Sequence, residues 1–121
     1  MMNKFDRSSL SLSQSRLLLL VCLFMPSLAF SDSGWTSVGK VSEIIADSDI
    51  RFRVKINVQK NPSQCRSSKW FYRDYLSSGS DQMYLALLEA LTNNLPVKVF
   101  VNGRCGIKGY SEISAVNIIA N

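Results

Sequence analysis

The chain has no histidine. That absence removes the Ser-His-Asp and Cys-His nucleophile arrangements and any imidazole zinc site at once. Long hydrophobic runs are missing too: the uninterrupted apolar stretch at residues 17–25 (LLLLVCLFM) is nine residues, against the roughly 20 needed to cross a hydrocarbon core. Cysteine and proline are scarce, three of each. No internal repeat, low-complexity tract or interdomain linker breaks the pattern.

What is there begins with a leader. Lys4, Arg7 and Arg16 precede the apolar run, and Pro26, Ser27, Leu28 and Ala29 follow it. A positive segment, an apolar segment and small residues in that order read as a secretory signal, with cleavage after Ala29 or after Ser31 both giving a small-x-small site. Cys22 is preceded by Val21 rather than a small residue, against a lipoprotein-type signal. The expectation is a signal peptide at 1–30 and a single domain at 31–121, with no membrane span after cleavage and a periplasmic or secreted destination. About 90 residues hold one small core and not two. From Ser31 onward there are 11 Lys and Arg against 8 Asp and Glu, so the mature charge is +3 rather than +5. Export and so mild a basic balance disfavour nucleic acid as a partner.

Without Cys22, Cys65 and Cys105 remain, and an exported chain with one such pair forms one disulfide. Closing a loop of about 40 residues stabilises by about 4 kcal/mol on the chain-entropy model. A metal or catalytic thiol reading lacks partners for want of histidine, and neither cofactor nor metal is expected.

The clearest helix signal covers residues 81–93. At about 100° per residue, Met83, Tyr84, Ala86, Leu87, Leu88, Ala90 and Leu91 fall in one arc of roughly 200°, with Gln82, Glu89, Thr92 and Asn93 opposite and Leu85 on that polar side. Ser78 or Ser80 is the expected N-cap and Asp81 suits the helix dipole. Asn93 and Asn94 suit a left-handed C-cap, and Pro96 ends the helical region. The period then changes to two: Val97, Val99 and Val101 share one strand face, Lys98, Phe100 and Asn102 the other, and Asn102-Gly103 marks a turn.

Upstream, residues 35–45 read as a strand whose alternation slips at Gly39, a sign of a bulge or sharp bend. Asp47, Ser48 and Asp49 form a turn. Residues 50–58 alternate cleanly, Ile50, Phe52, Val54, Ile56 and Val58 against Arg51, Arg53, Lys55 and Asn57. A polar connection at 60–68 carries Cys65. Residues 69–76 are strand-like and aromatic, but apolar groups on both sides leave the inner face open. Residues 102–110 form a glycine-rich loop with Cys105, and 113–120 a last strand.

The order β-β-β-α-β-β resembles the OB-fold, a five-stranded, partly open Greek-key barrel, with the helix plugging one end. An open antiparallel α+β sheet is the alternative. A group of small exported bacterial proteins is similar in Asn61-Pro62-Ser63-Gln64-Cys65, in Tyr84-Leu85-Ala86-Leu87-Leu88, in the strand at 97–101 and in Gly103-Arg104-Cys105. In element order the chain also resembles the B subunits of AB5-type enterotoxins, OB-fold protomers whose ring pentamers bind host glycans. That resemblance implies glycan recognition and ring assembly and carries over no binding residue.

Arg51, Arg53 and Lys55 form a basic stripe on what an OB-fold would use as its ligand surface, and Tyr72, Arg73 and Tyr75, with Arg104, Lys108 and Tyr110 from the later loop, would lie near it. Cations interleaved with aromatics suit stacking on a ring and capture of an anion. The plainer alternative is a solvated strand face with edge-protecting charges. If the stripe binds, sialylated or phosphorylated glycans, anionic polymers or an acidic protein surface fit the compartment. The expectation is a non-enzymatic binding module. Glu43 with Glu112 is the carboxylate pair weighed for acid–base work, and nothing in the spacing sets them roughly 5–10 Å apart. The alternative is a structural or assembly subunit, or an accessory protein binding another protein, with the 81–93 helix or an edge strand as its interface.

Overall fold

A computed structural model describes residues 32–49 and 51–120. Their elements run β1 (Gly34–Trp35), β2 (Gly39–Ala46), β3 (Arg51–Ile56), β4 (Trp70–Asp74), α1 (Ser80–Asn93), β5 (Pro96–Cys105), a 3-10 turn (Ile107–Gly109) and β6 (Ser111–Ile118). The fold is mainly β with one helix. The leader read at 1–30 lies outside the described residues, and none of the described helices is long and apolar enough to cross a membrane.

The strands form one six-stranded sheet in the order β1-β5-β2-β3-β4-β6, and a further β5–β6 pairing closes β5, β2, β3, β4 and β6 into a ring of hydrogen-bonded neighbours, with β1 alongside β5. Every pairing is antiparallel except β4 with β6, which is parallel and rests on two residue pairs, Phe71 with Ser111 and Tyr72 with Glu112.

Alternation decides which side of this ring is packed. On β3, Phe52, Val54 and Ile56 are fully buried while Arg51, Arg53 and Lys55 lie half-buried outside. On β5, Val97, Val99 and Val101 are fully buried. Phe71, Val41, Val58, Ile113, Leu87 and Ala90 complete the interior. Each of these side chains except Ala90 contributes about 1.5–3 kcal/mol by leaving water. At one end of this core Phe52 packs against Tyr75 and Tyr84, ring centroids 5.7 and 5.6 Å away.

The helix lies against β2 and β6. It turns Leu87 and Ala90 inward, with Met83, Tyr84 and Leu91 packed beside them, as the arc predicts. Leu88, at the edge of that arc, stays 39% exposed, and Leu85 is 61% exposed. The expected serine cap is replaced: Gly79 occupies the N-cap position, and Ser80, one residue on, donates its hydroxyl to the Tyr75 carbonyl at 2.8 Å. The C-cap is Asn94, left-handed at φ 54°.

The single first strand expected at 35–45 is two strands. Thr36 still bonds Val99, its N–H reaching the Val99 carbonyl at 2.9 Å and its Oγ1 accepting the Val99 N–H at 3.2 Å. Ser37 belongs to a different neighbour, its Oγ accepting the N–H groups of Gln59 and Lys60, both at 2.9 Å. The chain therefore stays along β5 from Gly34 to Lys40, interrupted where Ser37 turns to the 59–60 segment, and passes onto β3 from Val41. Gly39 marks the corner by close approach, since a Cβ there would stand 2.5 Å from the Asn57 carbonyl oxygen. The ladder irregularity itself comes later, between Val41 and Glu43.

The turn expected at Asn102-Gly103 is likewise a ladder irregularity. β5 continues to Cys105, which pairs with Ser111 across a register shift. Reversal waits for the following residues, where Gly106 N–H reaches the Tyr110 carbonyl at 2.8 Å. Cys65 and Cys105 are bonded, Cα atoms 5.5 Å apart, which ties the 57–69 connection to the end of β5.

Candidate binding cleft

The β3–β4 register sets Arg51 beside Asp74, Arg53 beside Tyr72 and Lys55 beside Trp70. Because successive side chains alternate, Arg51, Arg53, Tyr72 and Asp74 share the outer face. Two loops wall it. The 47–49 turn folds over through the Asp47 N–H to the Arg51 carbonyl at 3.2 Å and the Asp49 N–H to Asp47 Oδ1 at 3.3 Å. From the other side come Ile107 and Tyr110. The result is a cleft of about 360 Å³ lined by Asp47, Asp49, Arg51, Arg53, Tyr72, Asp74, Ile107 and Tyr110.

Its charges are unequally committed. Arg53 Nη2 meets Asp47 Oδ2 at 2.9 Å, while its buried Nε has no acceptor among the described residues. The Arg51 guanidinium lies 5.7 Å over the Tyr72 ring and makes no ion pair among the described residues. Asp74 Oδ1 accepts the Leu76 N–H at 3.0 Å.

The Tyr72 ring is fixed from behind. Its hydroxyl donates to Glu112 Oε2 at 3.1 Å, and Glu112 Oε1 accepts from Asn102 Nδ2 at 2.8 Å. Burial, then the Glu112 charge and hydrogen bond, raise the Tyr72 pKa above its ordinary value, and the positive fields of Arg51 and Arg104 oppose them. Gly106 backs the ring so closely that any Cβ there would overlap it. Tyr110 is fixed by stacking on Trp70, centroids 5.5 Å apart and planes 14° from parallel.

Of the residues singled out in the sequence, Arg51, Arg53, Tyr72 and Tyr110 come together in this cleft. Lys55 sits farther along β3, between Glu43 and Trp70, outside the lining. Arg73 and Tyr75 are not brought to it. Arg73 is the register partner of buried Phe52 and shares its side of the sheet, with Nη1 donating to the Ile113 carbonyl at 2.8 Å and Nη2 to the Ser78 carbonyl at 2.7 Å. Tyr75 packs into the Phe52 and Tyr84 rings. Arg104 and Lys108 are exposed and outside the lining, although Arg104 acts on the Tyr72 hydroxyl through its charge.

Sequence reasoning missed Asp47, Asp49, Asp74 and Ile107. In the sequence the first two read only as turn formers. The one local signal was that Asp47 and Asp49 immediately precede two outward arginines; Asp74 and Ile107 arrive from β4 and the 107–109 turn, which no local pattern connects to β3. Glu43 and Glu112 stand on β2 and β6, which are not neighbours in the sheet. Among the described residues no group of His, Cys, Asp or Glu is arranged to hold a metal ion.

No family model, no curated protein and no solved structure matches the chain.

Proposed function

We propose that this chain is an exported, non-enzymatic binding module, an OB-fold-type barrel with α1 across one end, which takes an anionic saccharide into the β3–β4 cleft. The ring of strand pairings with a helix lying on β2 and β6 supports the barrel reading. The Cys65–Cys105 bond supports an oxidising compartment, periplasmic or secreted.

One observation carries the ligand class. Two tyrosines, two arginines and three aspartates line the same cleft. A sugar offers an apolar ring face to a tyrosine, hydroxyl donors to carboxylates, and an acidic substituent to a guanidinium. An acidic protein surface suits the cleft less well, because it sets many carboxylates against the three aspartates and lacks the hydroxyl donors by which a sugar would use them.

The test is a glycan array probed with the purified protein. Binding concentrated among acidic glycans and lost in the Tyr72→Ala and Tyr110→Ala variants supports the reading. An array with no signal above background overturns it.

The exposure of Leu85 and Leu88 on α1 favours a second reading, an assembly subunit that packs against a partner through this helix. Light scattering after size exclusion decides it: a ring or dimer supports the helix as interface, and a strict monomer removes self-assembly.

A further inference from the structure

The outward arginines of β3 are not equivalent, although strand alternation makes them look so. Arg53 is answered within the chain. Asp47 Oδ2 stands 2.9 Å from its Nη2, and the same aspartate shapes the turn by accepting the Asp49 N–H at 3.3 Å. A ligand anion competing for Arg53 would strand the Asp47 carboxylate, and a half-buried charge left unpaired costs more than the new contact returns.

Arg51 has no such answer. Asp74 is its neighbour across the β3–β4 ladder, yet no carboxylate among the described residues reaches ion-pair distance of its guanidinium. It rests over the Tyr72 ring at 5.7 Å, a contact that orients it without neutralising it. The Tyr72 hydroxyl is already given to Glu112 at 3.1 Å and only 9% of the residue is exposed, so its ring is a bed for Arg51 rather than a free stacking face. Asp49 and Asp74 complete the lining. Asp49 has no side-chain partner among the described residues, and Asp74 uses one oxygen for the Leu76 N–H at 3.0 Å. Both retain acceptor capacity for hydroxyls and would repel a second negative group on the ligand.

Resting on the saccharide reading above, we infer that the cleft selects a singly charged acidic sugar, its one anionic group on Arg51, its hydroxyls on Asp49 and Asp74 and its ring against Tyr110. The stripe is therefore one anion-binding point and not a polyanion track.

Calorimetry with the full protein tests this on four probes: a uronic-acid-terminated trisaccharide, its methyl ester, and two counterparts that carry no carboxylate and bear one sulfate or two. The ester differs from the acid in charge and hardly in shape. The acid and the monosulfate are expected to bind comparably, and the ester and the disulfated form at least roughly tenfold more weakly, the size of one lost charge-assisted contact. Arg51→Gln should erase the difference between acid and ester, Arg51→Lys should restore part of it, and Lys55→Gln, outside the cleft, should leave it intact. Melting temperatures of the variants show that each is folded.

Equal binding of acid and ester, tighter binding of the disulfated probe, or an acid preference surviving in Arg51→Gln would each overturn the inference while leaving saccharide binding standing. Binding of none of the four probes, together with a blank array, overturns both.

Discussion

The Tyr72 hydroxyl donates to Glu112 Oε2 at 3.1 Å across the two-residue parallel pairing that joins β4 to β6. One contact therefore does two jobs, orienting the cleft's aromatic wall and holding the strands that close the ring. With Arg73 Nη1 on the Ile113 carbonyl at 2.8 Å, it supplements a very short ladder.

Tyr72→Phe should lower stability by about 1–2 kcal/mol, because Glu112 loses a donor in a half-buried site. Denaturant unfolding of the wild type, Tyr72→Phe, Glu112→Gln and the double variant checks it. A coupling energy near zero would show that the contact contributes nothing beyond its separate parts.

The same residue sets an alkaline limit. Burial raises the Tyr72 pKa above its ordinary 10.0, with Glu112 adding to the effect. A raised folded-state pKa means that the native chain binds more protons than the unfolded one above pH 10, so stability is full below that pH and falls as pH climbs through the folded value. Burial raises Tyr75 in the same direction. Unfolding measured from pH 8 to 12 should show the fall, and it should be shallower in Tyr72→Phe.

Replacing Cys65 and Cys105 with serine should cost about 4 kcal/mol by freeing a long loop in the unfolded chain. Thermal unfolding measures this. Thiol titration of the denatured, unreduced protein should detect neither residue.

Gly106→Ala should reduce ligand affinity more than its position in a loop suggests, because the new Cβ overlaps the Tyr72 ring and must displace it. A loss of about 1–3 kcal/mol in stability is expected from the overpacking. Unchanged near-ultraviolet circular dichroism and affinity would show that the ring has room to move.

The helix gives a contrast in one element. Leu87→Ala, at a fully buried site, should cost about 2–5 kcal/mol. Leu85→Ala, at a residue 61% exposed, should stay within about 0.5 kcal/mol in an isolated chain. A concentration-dependent loss at Leu85 would instead report an interface through that helix.

Strand alternation made the β3 interior legible from the sequence, since Phe52, Val54 and Ile56 differ so sharply from Arg51, Arg53 and Lys55 that only one face can be dry. The helix was legible for a similar reason, and the cysteine pairing by elimination. β4 was not. Tyr72, Arg73 and Tyr75 are all large and amphipathic and apolar Phe71 stands beside them, so the facing of the strand is settled by register against β3, a long-range fact that no local pattern contains. The same holds for Asn102-Gly103, whose turn chemistry yields to continued pairing with β6 once Cys105 is anchored. At the cleft, the cations could be read and their counter-ions could not. Whether Asp47 answers Arg51 or Arg53 depends on how a three-residue turn folds back, and the outcome, a bond at 2.9 Å to Arg53, is what leaves Arg51 available.

Of the described strands, the one that completes the ring is the last to be synthesised: β6 binds β5 along its length and β4 at its start. Until residues 111–118 arrive, no shorter nascent length can shut the ring, and the interior faces of β3 and β5 have no complete enclosure. Closure across such a span makes the rate of maturation a matter of loop entropy more than of local propensity. Chains stalled short of Ser111 would present uncovered strand edges and become clients for holding chaperones.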